Sequence, residues 1–337
     1  MKTNLIRHLA NGRSRLRASA VLLVAAFCSP AVLAQAAYPN KPITLVVPFS
    51  AGGPTDLVAR TLGAAMSRTL NQPVLIENKT GAGGTIAANY TAKSKPDGYT
   101  FLIHHNGMAT APALYRKLSY NPLTDFDYVS QVIDVPMTLI GRKDLPAKDF
   151  NELRAYLKAN GDKVTLAHAG LGAVSHLCGM LFRQATGANL TTVPYQGTGP
   201  AMNALLGGQV DLLCDQTTST TQYIKAGSVK LYGVTTTARI KSMPDAPTLS
   251  EQGLKGSEIV VWHGIYAPKG TPKEAIDKFG AALRSALVDP AVAKRLDELG
   301  AVVVTESKQT PVGLQTWLAQ ETTRYAPVIK AAGQFAD

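Results

Sequence analysis

The chain has 337 residues, 45% hydrophobic and 17% charged, with a formal net charge of +11. That is enough apolar material for two ordinary domains with real cores, which excludes a disordered chain. Five of the basic residues, Lys2, Arg7, Arg13, Arg15 and Arg17, stand in the first 36 positions with no acid among them, leaving +6 for the rest. That excess forms no basic run or aromatic-interleaved patch, so nothing marks a nucleic-acid binder. The first 36 residues read as an export signal: the basic stretch, an apolar segment Ala18 to Phe27 too short to span a bilayer, and a small-x-small cleavage site at Ala34-Gln-Ala36. A lipoprotein anchored through Cys28 is the alternative, but Phe27 stands where that processing needs a small residue. No later segment is long enough to cross a membrane, and a periplasmic location follows.

After the leader, Ile43 to Val47 has the β-branched character of a strand buried on both faces, and Pro48 stops it. Ser50 to Gly53 is a tight turn, and from Pro54 the apolar residues Leu57, Val58, Leu62 and Ala65 recur at helical spacing. Strand, glycine turn and helix start aim free N–H groups and a positive dipole end at whatever lies above the strand, and a small anion is the natural guest. Asp56 reads most simply as a cap for that helix. The pattern repeats with strand Pro73 to Asn78, the turn Lys79-Thr-Gly-Ala-Gly-Gly-Thr85, helix Ile86 to Lys93 and strand Tyr99 to Ile103. Such a β-α-β-α-β series calls for a parallel sheet with its ligand site at the strands' C-terminal ends.

Phe126 to Ile140 reads as an extended crossing broken at Pro136. The expected elements then run helix 151–160, strand 164–169, helix 175–186, strand 191–194, helix 200–206, strand 210–214, helix 221–226 and strand 231–235. A second crossing, Ile259 to Ala267, leads to one helix from Pro272 to Leu299, a strand 301–305 and a last helix Pro311 to Ala332. The fold class expected is therefore α/β, a two-domain clamshell of type II binding-protein character. Each domain would be a mainly parallel sheet flanked by helices, with two crossing segments between them. Residues 37–138 and 261–337 form domain 1 and residues 139–260 domain 2. The crossings near Pro136 to Ile140 and Val260 to Gly264 would be hinges.

No catalytic constellation accompanies this layout. Gly81-Ala-Gly-Gly-Thr85 fails a dinucleotide fingerprint because Ile86 stands at the third glycine position, and no phosphate-loop lysine motif exists. Ser175 and His176 point about 100° apart on a helix and cannot pair as nucleophile and base. The five histidines beyond the leader, His104, His105, His168, His176 and His263, lack metal-ligand spacing, so neither a metal nor a cofactor is expected. His104 and His105 end a strand where loops converge; strand alternation turns one of them toward a ligand and the other away, and His105 is the candidate. Gly170-Leu-Gly172 before Ser175 is a second anion-type helix start, with Ser175 merely capping its own helix as the alternative. Cys178 and Cys214 are 36 positions apart; a disulfide and two buried thiols fit the sequence equally.

Seven segments also carry a family resemblance: Pro48-Phe-Ser-Ala-Gly-Gly-Pro-Thr-Asp56, Gly81-Ala-Gly-Gly84, Asp97-Gly-Tyr-Thr100, Gly170-x-Gly172-x-x-Ser175-His-Leu177, Pro194-Tyr-Gln-Gly-x-Gly-Pro-Ala201, Leu205-Leu-Gly-Gly-Gln-Val-Asp211 and Ala267-Pro-Lys-Gly-Thr-Pro272. In this order they resemble the TctC/Bug proteins, the extracytoplasmic solute receptors of tripartite tricarboxylate transporters. The resemblance implies a monomeric, non-enzymatic binding protein that takes a small carboxylate into the interdomain cleft and delivers it to membrane subunits of the transporter. A ligand sensor facing a membrane signalling protein is the same-scaffold alternative, and an exported carboxylate-processing enzyme the remote one. Carried over residue by residue, the ligand positions are Phe49, Ser50, Ala51, Gly52 and Gly53, then Gly81, Ala82, Gly83, Gly84 and Thr85 in domain 1. In domain 2 they are Gly170, Gly172, Ala173 and Ser175, with Tyr195, Gln196, Gly197 and Asp215. The chain departs from the family pattern where small hydroxyl residues give way to Ala173 and Val174, where Gln196 replaces a Lys or Arg, and where Cys214-Asp-Gln216 replaces Phe-Asp-Asn. Loss of hydroxyls and of a cation favours an aromatic acid or a monocarboxylate over citrate.

Overall fold

A computed structural model describes residues 37–333 together with Phe335. The expected leader, its cleavage site and the Cys28 alternative lie outside the described residues. The elements run β1 (Ile43–Val47), α1 (Pro54–Leu70), β2 (Val74–Asn78), a 3-10 turn (Ala82–Gly84), α2 (Thr85–Ala92), β3 (Thr100–His104), α3 (Gly107–Leu114) and β4 (Phe126–Arg142). They continue with α4 (Phe150–Asn160), β5 (Thr165–His168), α5 (Val174–Thr186), β6 (Thr191–Pro194), α6 (Thr198–Leu206), β7 (Leu212–Gln216), α7 (Thr217–Lys225) and β8 (Val229–Val234). The chain then closes with β9 (Val260–Pro268), α8 (Lys273–Leu287), α9 (Pro290–Glu298), β10 (Val302–Val303) and α10 (Pro311–Ala332).

All ten strands join one path, β2-β1-β3-β9-β4-β7-β5-β6, with β8 and β10 added onto β4. The β2-β1-β3 and β6-β5-β7 groups are parallel, as the alternating pattern requires. The joins through β9 and β4 are antiparallel. The run expected to break at Pro136 is instead one 17-residue strand. Its first part pairs with β9 from Phe126 to Pro136, and its second part, from Met137 onward, pairs with β7 and β8. Pro136 lies at the changeover, as the last position paired with β9, opposite Val260, so its missing N–H falls at the end of that ladder and not within it.

Three other expectations need correction. The single helix over 272–299 is two, because Asp289-Pro290 ends α8 and the Asp289 carboxylate caps α9 through Ala291 and Val292. The strand at 301–305 shrinks to two paired residues. A short helix, α3, occupies 107–114, where sequence reading expected no element; Pro112 and the small residues around it hid its period. Elsewhere the boundaries shift by a few residues. Phe101 of β3 stacks on Phe279 of α8 at 3.8 Å, anchoring the C-terminal segment to the first parallel group. Cys178 of α5 and Cys214 of β7, both buried, form a disulfide with a Cα separation of 6.2 Å, which settles the pairing left open by the sequence.

Candidate functional site

Six helices that follow strands of the parallel groups, α1, α2, α3, α5, α6 and α7, begin without any side chain capping them, and four of these start at the turns singled out by the sequence. The N-cap residues of α1, α2, α5 and α6 are Gly53, Gly84, Ala173 and Gly197, and none accepts from its first turn. By contrast α4, α9 and α10 are capped by Asp149, Asp289 and Thr310. Uncapped starts leave N–H donors and the positive dipole end available to a guest anion. The turns that supply these four follow strand C-terminal ends, after β1, β2, β5 and β6.

The turn after β1 is held from behind. Asp56 is fully buried and accepts from Gly52 N (2.8 Å), Arg60 Nε (2.8 Å) and Asn78 Nδ2 (2.9 Å). Burial pushes this carboxyl up, but Arg60 and the Gly52 and Asn78 donors outweigh it and hold the group below the usual carboxylate range. Asn78 also donates to the Phe49 carbonyl at 2.8 Å, so the end of β2 and the turn after β1 are tied together. Asp56 therefore does not cap α1, the plainer sequence reading; it uses up the Gly52 N–H to shape the turn. Gly53 N donates to Ser50 O at 3.1 Å, which leaves the Ser50 and Ala51 N–H groups without a partner among the described residues.

Beneath this turn lies a histidine cluster. Phe49 stacks on His105 with centroids 4.5 Å apart, and His104 stands edge-on to His105 at 5.1 Å. His105 N donates to His104 Nδ1 (2.8 Å) and Gly107 N to His105 Nδ1 (3.0 Å), which places the ring protons of the neutral forms on Nε2. His263 meets the Thr55 hydroxyl through Nε2 at 3.1 Å. Burial drives all three downward, His104 to about 4, His263 to about 3 and His105 well below its ordinary value. The expected alternation of His104 and His105 does not hold, since β3 ends at His104 and both rings pack under the same turns. His104 sits so close to Gly84 that a Cβ there would lie 2.5 Å from Nε2, so only glycine fits.

The turns of the second parallel group are built alike. Ser175, in the first turn of α5, does not cap that helix; its Oγ accepts from Ala169 N at 2.9 Å and pins the end of β5. Tyr195 N donates to His168 O (2.9 Å), and the Tyr195 carbonyl lies 3.3 Å from where a Cβ on Gly170 would be. Ala173 is half-buried, and Gln196 is exposed at its turn with no side-chain partner among the described residues. Asp215, at the end of β7, is buried beside Thr198 and Ser219. The two sets of turns meet. A Cβ on Gly83 would lie 3.0 Å from Leu171 O and 3.7 Å from the Gly172 Cα, and one on Gly172 would lie 3.8 Å from the Gly83 Cα. Backbone faces backbone here, with the Tyr115 hydroxyl and Leu114 beside the contact.

The family of tripartite tricarboxylate transporter receptors matches residues 58–334. A protein of Agrobacterium vitis, encoded in the TAR-I ttuE-ttuC' intergenic region, is 49% identical over 315 residues, 94% of this chain and 91% of its own. The chain belongs to that receptor family. Among solved structures, the periplasmic binding protein BugD is 50% identical with a TM-score of 0.83, covering 89% of this chain and 100% of its own. MatC from Rhodopseudomonas palustris, solved with bound malate, is 41% identical with a TM-score of 0.81 over 87% of this chain and all of its own. The likeness extends the receptor family's clamshell fold to this chain.

Sequence reading missed several residues that shape the receptor's turns. Asn78, Arg60, Leu114 and Tyr115 carry no motif of their own; Asn78 signals its role only by standing last in a strand beside the glycine turn. Among the described residues no group of three metal-ligating side chains comes together, and no helix is long and apolar enough to cross a membrane.

Proposed function

We propose that this receptor captures a small carboxylate between its two sets of uncapped turns in the periplasm and passes it to membrane subunits of a tripartite transporter. The observation that carries the reading is the approach of Gly83 and Gly172, which brings turns from the two parallel groups face to face. The carboxylate is held by the turns Phe49–Gly53, where the Ser50 and Ala51 N–H groups are free, and Gly81–Thr85, and its remainder meets Gly170–Ser175, Tyr195–Gly197 and Asp215. The change of partners along β4 at Pro136 supports lobe boundaries at residues 37–138 with 261–337 and at 139–260. Closure is then a hinge motion in β4 and β9, and a ligand favours the closed state only through contacts to both lobes. One chain supplies every element of this site, so a monomer suffices.

Relatives in the family span different acids, and MatC holds malate. For this chain an aromatic acid or a monocarboxylate is favoured over citrate, because the second set of turns offers Gln196 and the acid Asp215 but no cation to a third carboxylate. A thermal-shift screen of residues 37–337 against aromatic acids, monocarboxylates, di- and tricarboxylates tests both statements. A ligand at about a thousand times its Kd stabilises by about 4 kcal/mol, worth several degrees. No shift with any carboxylate after refolding would remove the carboxylate reading; citrate binding tightest would overturn the preference alone.

A further inference from the structure

The two faces of the β2-β1-β3 group are covered unequally. Residues paired across parallel strands point to the same side, and on one side Val74 and Ile76 meet Gly63 of α1 while Phe101 stacks on Phe279 of α8. The opposite side carries Leu75, Thr44 and Thr100 in one register row, and α2, the helix that crosses it, has only eight residues. Leu75 is left 52% exposed, and on α2 itself Ile86 and Tyr90 are 51% and 42% exposed. Between the helix and the strands runs a groove of about 780 Å³, floored by Thr44 and Thr100 and walled by Ile86, Asn89 and Tyr90. Single apolar side chains scattered over a surface need no explanation, but several gathered around one concavity mark an interaction site.

The rim of this groove is basic. Lys41 and Lys79 lie over the rings of Tyr99 and Tyr90 at 4.1 and 4.0 Å, and they pair with Asp97 (3.3 Å) and Glu77 (2.7 Å). Lys93 and Lys95, just past the end of α2, are exposed and have no partner among the described residues, so four lysines stand against two acids. The other end of the groove reaches the Gly81–Thr85 turn, since a Cβ on Gly81 would lie 2.6 Å from Ile86 Cδ1. We propose that a membrane partner of the receptor docks in this groove through an acidic periplasmic segment, which sets an apolar side chain between α2 and the strands and its carboxylates against Lys93 and Lys95. That such a partner exists rests on the function proposed above. Charge decides the class of occupant: a second copy in a twofold contact would set lysines against lysines, whereas carboxylates complete the two unpaired cations. Shape decides against a bilayer surface, which is flat and would leave the concavity unfilled.

The test is photo-crosslinking in the native host, with the full chain exported and p-benzoylphenylalanine in place of Tyr90 or Leu75. The control position is Val288, which is 79% exposed at the end of α8, on the opposite face of the same sheet. Adducts at Tyr90 and Leu75, read by peptide mass spectrometry, should contain an acidic periplasmic segment of a membrane protein and exceed those at Val288 by on the order of tenfold. Lys93→Glu combined with Lys95→Glu should cut the adduct by on the order of tenfold, and Lys93→Arg with Lys95→Arg should keep it. Neither pair should change the thermal shift that the carboxylate panel produces, which shows that the variants fold and bind. No adduct, an adduct as strong at Val288, attachment only to lipid or to a second copy, or an adduct indifferent to the glutamate pair would overturn the docking surface and leave carboxylate capture standing. An adduct that meets the charge test but joins the receptor to a signalling protein would keep the surface and overturn delivery to a transporter instead.

Discussion

At the scale of single residues, the glycines of the site do two different jobs. Gly84 combines a φ of +97° with the His104 ring in the space its side chain would occupy, so Gly84→Ala should destabilise the fold by about 2 kcal/mol or more, measurable as a lower urea midpoint. Gly172 (φ +81°) faces another backbone across the cleft, where a Cβ would also press on Leu114 at 2.9 Å. Gly172→Val should hold the turns apart, weakening ligand affinity on the order of tenfold or more and reducing the compaction that ligand causes in small-angle scattering. A variant that binds and compacts like wild type would show that the contact is incidental to closure. Asp56 acts through the turn it ties down: Asp56→Ala strands the Gly52 and Asn78 donors, which should cost about 1–3 kcal/mol and lower affinity without altering which acid is preferred.

Among the secondary-structure elements, the disulfide links α5, whose first turns bear Ser175, to β7, which carries Asp215 next to its end. Closing a loop of 36 residues is worth about 4 kcal/mol in the chain-entropy account, so Cys178→Ser with Cys214→Ser should lower stability by roughly 2–4 kcal/mol, read from the denaturant midpoint. Most elements here were legible from local pattern: β1 is a run β-branched at four of its five positions and α10 a capped helix with Pro at its start, and both were read to the residue. What failed was what depends on partners far along the chain. Pro136 looks like a strand breaker until it is known that β4 exchanges one neighbour for two others there. The glycine turns announced themselves because positive φ and close approach demand glycine. The residues that hold those turns, Asn78 and Tyr115 among them, are ordinary types whose role exists only in three dimensions, and the alternation expected of His104 and His105 required a strand longer than the one that forms.

The whole molecule responds to pH through its histidines. His104, His105, His168 and His263 are buried and uncharged, with burial the leading cause of each lowered value, His168 reaching about 4. A folded-state value below the unfolded one means that the unfolded chain binds protons first as pH falls. Stability is thus complete above the ordinary histidine value of about 6.5 and is lost progressively as pH drops from there toward the folded values near 4. Asp215 and Asp134, whose values burial raises, work in the opposite sense, Asp215 favouring the fold below about 6, but they are two groups against four. Each histidine contributes about 1.4 kcal/mol per pH unit in that window, so Tm should fall by several degrees between about pH 6.5 and 5. A Tm that rises on acidification would contradict the burial of these rings. The disulfide bears on the history of the molecule as well as its stability. Cys178 and Cys214 are 2% and 0% exposed once α5 lies on β7, beyond the reach of any oxidant. The bond must therefore form while the chain is still open, so receptor that completes its folding in a reducing compartment should keep both thiols sealed inside and stay reduced after it meets an oxidising one.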